Sequence, residues 1–504
     1  MVREEIRKII EKAIKGLGYK VPEILIEQPR EKEYGDYATN IAMVIGKIVR
    51  KNPMEIAKLI NSKFKIQNSK FLDEVKIVEP GFINFFLSKE YLQKQVGYIL
   101  ENRGEFEDLK KIGKDGKVNI EFISANPTGP LTLGNGRGGF CGDVLANILE
   151  KAGYKMCREY YINDRGKQIE NLKKGLYKGE KRTALQIQKE NQRIIAKKLK
   201  IKFDVWFSEK DLYKNKGVDK ILNWLGKNKL TYEKERASWF KSTKFGDDKD
   251  RVLVKKDGEK TYLASDIAYL KNKFERGFDR LIFFWGADHY GYIARLKAAA
   301  EALGYKKEQV IVVLMQLVKL FKDGQEFKMS KRTGNYVELE ELIDEVGLDV
   351  ARFFFLQKSA DTHLNFDMDL AKKQSAENPV YYVQYAYARI HSILAKSKFK
   401  MQKSKLQFKI QNFQLLNHPS ELNLIKQLIK FPEIIEDTVK DYQVQHLPQH
   451  AIELADAFHQ FYENCRVISE DKELTKARLA LISATKIVLK NVLDLMGISS
   501  PEKM

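Results

Sequence analysis

Residues 117–162 read KVNIEFISANPTGPLTLGNGRGGFCGDVLANILEKAGYKMCREYYI. KVNIEFIS, 117–124, is rich in β-branched and aromatic residues between polar flanks, which predicts a strand. A proline- and glycine-rich loop, ANPTGPLTLGNGRGG, follows it. FCGDVLANILEKAGYK predicts a helix stopped by Gly153, and KMCREYYI a second strand. Strand, loop, helix and strand in that order make one βαβ half of a parallel sheet. Further on, RLIFFWGAD, YIARLKAAAEALG and VIVVLMQLV repeat the pattern and predict the second half. The charged stretch between the halves, 165–260, reads as a mostly helical insertion.

Working outward, 504 residues are enough for two to four domains. Residues 1–88 predict a small α+β domain. It comprises an amphipathic first helix, a long helical stretch from Ile41 to Phe64 and a strand-rich close from Val75 to Phe86. Residues 89–116 read as a polar linker, 117–370 as an α/β domain, and 371–504 as helical throughout, with a basic connection at 395–411. No apolar run approaches the ~20 residues a membrane helix needs. Cys141, Cys157 and Cys465 form neither a disulfide framework nor a zinc spacing, so a reducing cytoplasm is expected. With 89 basic and 68 acidic residues the chain carries +21, which favours a polyanionic partner such as a nucleic acid; a merely lysine-rich surface is the alternative.

The glycines at 129, 134, 136, 138, 139 and 142 crowd one loop and helix start. Glycine admits a close phosphate, and a helix N-terminus supplies amide donors and a positive dipole end, so a nucleotide site is predicted. Gly134, Gly136 and Gly139 satisfy GxGxxG, with Glu159 twenty residues beyond. That fingerprint keeps an NAD-dependent oxidoreductase open. Against it, nine residues including Pro127 and Pro130 separate Ser124 from Gly134, where a dinucleotide loop turns almost at once. A second candidate is Lys328-Met329-Ser330-Lys331, followed by Arg332-Thr333-Gly334. Two lysines and hydroxyls on a glycine-containing loop suit a departing pyrophosphate.

Taken together, SANPTGPLTLGNGRG, REYYINDRGKQIENL, YLASDIAYL, FFWGADHYGYI, FKMSKRTGN and ENPVYYVQYAYARI resemble the arginyl-tRNA synthetases, which are class I aminoacyl-tRNA synthetases. EYGDYATNIAM and EPGFINFFLS resemble that family's N-terminal domain, and DLMGISSPEKM its C-terminus. The resemblance implies a Rossmann-like parallel-sheet core with an N-terminal α+β domain and a C-terminal all-α anticodon-binding bundle. It implies ATP, Mg2+ brought with ATP and no protein metal site, L-arginine and tRNA(Arg) as substrates, and a monomer off the membrane.

Residue by residue, it implies that Thr132 and Asn135, with Lys328 and Lys331, are catalytic. Gly134, Gly136, Arg137, Met329 and Ser330 would hold ATP. Glu121 and Asn126 would take the amino and carboxylate ends of arginine. Glu209, Asp266 and Tyr262 would face the guanidinium, with His289 completing the pocket. Carboxylates and an aromatic face suit a planar permanent cation, and Tyr262 and Asp266 are one helical turn apart. Tyr34, Asp36, Gln384 and Tyr385 are the candidate tRNA contacts. The family's first signature usually carries histidine where Thr132 and Asn135 stand. The residues also leave open a non-catalytic tRNA-binding paralogue and a class I synthetase for another amino acid.

Overall fold

The computed structural model describes residues 1–29, 31–64, 70–173, 182–327, 338–397 and 412–504. Its N-terminal unit is a three-stranded antiparallel sheet of β1 (Tyr37–Thr39), β2 (Leu72–Val78) and β3 (Phe82–Leu87), in the order β1-β3-β2. Three helices, Val2–Gly16, Ile41–Val49 and Pro53–Ser62, accompany it. The single helical stretch expected over 41–64 is broken. Arg50 takes the left-handed conformation (φ 55°), the Asn52 side chain accepts from Met54 N, and Pro53 starts a new helix. Asparagine followed by proline is a helix-start signal, and reading past it was the error. The span read as a linker holds the helices Lys89–Glu101 and Glu107–Gly113. Gln93 Nε2 donates to the carbonyls of Gln414 and Leu416, so the first of these packs with the C-terminal helices.

The central sheet is formed by β4 (Lys117–Glu121), β5 (Lys155–Ile162), β6 (Val205–Ser208), β10 (Arg280–Gly286) and β11 (Val310–Met315). All are parallel, in the order β11-β10-β4-β5-β6. From β4 the chain winds to β5 on one side and later to β10 on the other. The crevice at the carboxyl ends of β4 and β10 is therefore the switch point, where open α/β sheets bind ligands. The insertion is not helical alone. Besides four α-helices among the described residues, 165–260 contain β6 at the sheet edge and an antiparallel sheet of β7 (Thr231–Lys234), β8 (Ala237–Phe240) and β9 (Arg251–Val254). The β7–β8 turn is made by Glu235 and Arg236 with φ 56° and 61°, a tight hairpin turn without the usual Asn or Gly marker.

The helix Leu133–Lys151 backs the sheet. Phe140, Val144, Leu145, Ile148 and Leu149 are fully buried on it, each contributing ~1.5–3 kcal/mol by leaving water. After β11 come β12 (Val318–Lys322), β13 (Gln325–Phe327) and β14 (Leu364–Asp367), in the order β13-β12-β14. The C-terminal region is built on the helices Pro379–Lys396, Pro419–Asp441, His446–Asn464 and Lys472–Met496. It is tied closely to the rest. The buried Arg352 guanidinium donates to Asp143 Oδ2 (2.8 Å), Leu199 O (3.0 Å) and Met496 O (2.8 Å), and Asn147 Nδ2 to Leu495 O (3.0 Å). At the other end, buried Glu433 accepts from Tyr37 OH (3.0 Å) and the Arg3 backbone NH (3.0 Å), joining the N-terminal unit to the helices.

Candidate active site

A cavity of about 1190 Å3 opens at the switch point. One wall is the start of the helix Leu133–Lys151. Thr132 is its N-cap: Thr132 Oγ1 accepts from Asn135 N (3.4 Å), and Asn135 Oδ1 accepts from Thr132 N and Thr132 Oγ1 (3.0 Å each). This reciprocal cap satisfies orphan amides of the first turn and fixes both side chains at the rim. The Thr132 hydroxyl proton is thereby used on Asn135, which leaves the Asn135 Nδ2 amide without a protein acceptor among the described residues. Gly134 is exposed beside it, with no heavy atom within 3.4 Å of where a Cβ would stand.

The remaining glycines do different work from that expected. A Cβ on Gly136 would sit 2.4 Å from Leu339, on Gly138 2.8 Å from Met315, and on Gly142 2.4 Å from the Phe122 side chain. They lie within the helix and bring it close against the sheet and its neighbours. Gly136 therefore does not line the cavity. Arg137 does not line it either: its fully buried guanidinium donates to Gln316 O (2.9 Å) and Ser359 O (2.7 Å), so it braces the loop after β11. Both expectations placed these residues on ATP, and the reason they fail is the helical register, which turns them inward.

The opposite wall carries the acids. Glu209 opens the short helix after β6 and is 4% exposed; Asp266 lies one turn into the helix Tyr262–Glu275. Tyr262, 59% exposed, stands at the mouth one turn before Asp266, the arrangement the spacing predicts. Tyr292 OH donates to Asp266 Oδ2, and the Asn163 amide, nitrogen toward the acid, to Glu209 Oε2 at 2.7 Å. Burial, then the like charge of Asp266, pushes Glu209 up to about 7 against the pull of Arg165. Burial likewise pushes Asp266 up to about 6, with Tyr292 opposing and Glu121 adding like charge. Two desolvated acids side by side and no cation among the lining residues beside them form a cation receptor.

Glu121 lines the floor at the end of β4, and Asn126 lies just beyond it. Between them Ile123 and Ser124 adopt left-handed backbone (φ 65° and 40°), a conformation that a β-branched residue rarely takes. The turn brings Ser124 Oγ back to Glu121 Oε1 (3.3 Å) and to Tyr161 N (3.0 Å). His289 is at the rim, with its ring against Trp285 (centroids 6.0 Å) and its Nε2 3.6 Å from Asp288. Lys328, Met329, Ser330 and Lys331 lie outside the described residues.

Glu159 settles the dinucleotide question. It is fully buried and accepts from Asn119 Nδ2 (2.8 Å), Tyr269 OH (2.5 Å) and Arg276 Nη2 (2.9 Å). Burial alone would raise it, but Lys273 and Arg276 outweigh that and hold it at about 2. An acid so enclosed cannot reach a ribose hydroxyl.

The family description "Arginyl tRNA synthetase N terminal domain" matches residues 3–87, "tRNA synthetases class I (R), catalytic domain" matches 95–204 and 176–389, and "DALR anticodon binding domain" matches 383–504. A protein of Bacillus velezensis named arginine–tRNA ligase is 42% identical over 100% of this chain and 98% of its own length. The chain belongs to the arginyl-tRNA synthetase family. A second arginine–tRNA ligase, of Carboxydothermus hydrogenoformans, is 44% identical over 95% of this chain and 94% of its own. The arginyl-tRNA synthetase of Thermus thermophilus shares the fold (TM-score 0.82, 21% identity, 100% of both chains).

The candidate tRNA contacts of this arginyl-tRNA synthetase chain fall into two groups. Tyr34 is 41% exposed, and Tyr385 stacks on Tyr381 (6.3 Å) and His459 (6.0 Å) with Arg389 over its ring (5.5 Å). Asp36 and Gln384 are used within the protein: Asp36 pairs with Lys426 (2.6 Å), and Gln384 donates to Asp349 (2.9 Å) and Ser499 O (3.0 Å). Sequence reasoning missed Tyr269, Lys273 and Tyr292. Tyr269 and Lys273 follow Asp266 on its own helix at helical spacing, a signal that could have been read.

Proposed function

We propose that the chain joins L-arginine to tRNA(Arg). The arginine carboxylate attacks the α-phosphate of ATP in line, pyrophosphate leaves, and the arginyl-adenylate passes its acyl group to the terminal ribose of the tRNA. The observation that carries this is the pair of acids, buried Glu209 and half-buried Asp266, sharing one cavity with a capped helix N-terminus. The acids, with Tyr262 over the mouth, take the guanidinium. Glu121 and Asn126 take the ammonium and carboxylate ends. The helix start, through Asn135 Nδ2, Gly134 and the dipole, takes the triphosphate. His289 closes the rim of the pocket, and Lys328 and Lys331 supply positive charge to the leaving pyrophosphate.

Magnesium enters with ATP. Residues 1–88 meet tRNA through the face around Tyr34, 117–370 perform the chemistry, and 371–504 read the anticodon region through the Tyr385 face. The chain acts as a monomer, in the cytoplasm, which suits its free thiols. The test is aminoacylation of total tRNA with each amino acid in turn. Charging with arginine alone is expected; charging with another amino acid, or tRNA binding without charging, overturns the reading.

A further inference from the structure

Beneath the cavity floor lies a group of buried charges that the proposed chemistry does not use. Lys273 is fully buried on the third turn of the helix Tyr262–Glu275 and does not line the cavity. Its ammonium has three protons and meets three acceptors: Asn119 Oδ1 (2.5 Å), Glu121 Oε2 (2.9 Å) and Glu159 Oε1 (3.4 Å). The rings of Tyr269 and Phe283, 4.5 and 5.1 Å from Nζ, complete the enclosure.

The donors are not evenly shared. Glu159 already has Arg276 on both oxygens (2.7 and 2.9 Å) and Asn119 Nδ2 at 2.8 Å. Tyr269 OH holds one proton between two carboxylates and lies nearer Glu159 (2.5 Å) than Glu121 (2.8 Å). That leaves Lys273 as the cation on which Glu121 Oε2 depends, while Ser124 Oγ touches the other oxygen. A carboxylate in a desolvated wall keeps its charge only beside a cation. The same contact fixes the rotamer from which Glu121 meets the cavity.

We infer that Lys273 is a positioning residue for amino-acid recognition: acting through Glu121, it holds the negative charge that receives the α-ammonium group of the substrate. The inference rests on the reading of Glu121 given above. It divides the pocket into two cation receptors. Glu209 and Asp266 serve the guanidinium, and Glu121, backed by Lys273, serves the ammonium.

The division is tested with two ligands, L-arginine and 5-guanidinopentanoate, which lacks only the α-amino group. Their dissociation constants are measured by calorimetry on the full chain for wild type, Glu121→Gln, Lys273→Met and Tyr269→Phe. Lys273→Met is expected to weaken arginine by ~10-fold or more, the loss typical of a charge left without its partner, while the desamino analogue changes less than about twofold. Glu121→Gln should do the same, and Tyr269→Phe should do so more weakly. Should Lys273→Met not fold, the pair Glu159→Gln with Lys273→Met removes one charge of each sign, and Tyr269→Phe carries the test without a charge change. In the pair, Glu121 keeps no adjacent cation, so arginine alone is again expected to weaken. If Glu121→Gln separates the two ligands and the Lys273 variants weaken both alike, Lys273 only packs and the inference falls. If Glu121→Gln itself fails to separate them, the assignment of Glu121 to the ammonium is wrong, and the inference falls with it.

Discussion

Arginine binding should be strongly pH-dependent in a range where neither the ligand's guanidinium nor its ammonium titrates. In the free protein Glu209 is pushed up to about 7 and Asp266 to about 6, chiefly by burial. A guanidinium seated between them favours both ionised forms, so arginine and protons compete for the same acids. Treated as independent titrations, the fraction of molecules with both acids ionised falls about twentyfold between pH 8 and pH 6. The dissociation constant of arginine should rise by that order, with about 0.6 proton released per arginine bound at pH 7 and about 1.4 at pH 6. The assay is isothermal titration of the full chain at pH 6, 7 and 8, in buffers of differing ionisation enthalpy so that proton release is counted directly. Glu209→Gln should bind arginine more weakly and flatten the profile. A dissociation constant constant within twofold over this range, with no proton release, would mean that these acids titrate as ordinary carboxylates and that burial does not shape the receptor.

The same protons bear on stability: folded protein holds them between about pH 4 and 7 where the unfolded chain does not, so stability contributed here falls as pH rises through that window, and arginine should raise Tm more at pH 8 than at pH 6. Asn135→Asp keeps the oxygen that caps Thr132 but removes the amide donor, so it should melt near wild type yet slow adenylate formation in single turnover; Asn135→Ala should slow it too and also melt lower, losing ~0.5–2 kcal/mol of cap. Equal rates in wild type and Asn135→Asp would rule out the donor role. Arg352→Leu leaves Asp143 buried without its cation and should cost ~3–5 kcal/mol, seen as a lower denaturant midpoint, whereas removing the exposed pair Lys94–Glu90 should leave the midpoint unchanged. Tyr385→Ala should raise KM for tRNA and leave arginine binding alone, while Gln384→Ala should lower Tm instead; the reverse pattern would exchange their assignments.

What could be read before the structure was set by period and order. The β4–helix–β5 unit announces itself because a strand run, a breaker-rich loop and a helical run follow one another without overlap. Glu209 and Asp266 were reached through the resemblance of their motifs to the family, and the four-residue spacing of Tyr262 and Asp266, which a helix makes adjacent, agreed with it. Glycine was the misleading residue. Composition cannot separate a glycine that admits a ligand from one that admits a neighbouring side chain, and of the crowded set only Gly134 stands open at the cavity rim while Gly136, Gly138 and Gly142 admit Leu339, Met315 and Phe122. Arg137 misled for a related reason: beside a nucleotide loop a guanidinium suggests phosphate, but its direction depends on the helical register. The hairpin in the insertion was hidden because Glu235 and Arg236 carry none of the residues that usually mark such a turn. Lys273 shares the helical face of Asp266 and Tyr269, which was readable, but a lysine on a charged helix gives no sign that it is enclosed.

The bonds of Arg352 have a bearing on how the protein is made. Asp143 and Leu199 are synthesised before it, but its third acceptor, Met496 O, lies 144 residues later. Chains fold from the N-terminus as they emerge from the ribosome, so the nascent catalytic domain forms with one arm of this guanidinium unmet and with Asn147 still lacking Leu495 O. Until the final helix docks, the helix that follows Thr132 lacks these two ties to it. Nascent or stalled chains should therefore expose this seam to chaperones and proteases, and the competence to handle ATP should arrive late in synthesis, with the helix most distant in sequence from the nucleotide loop.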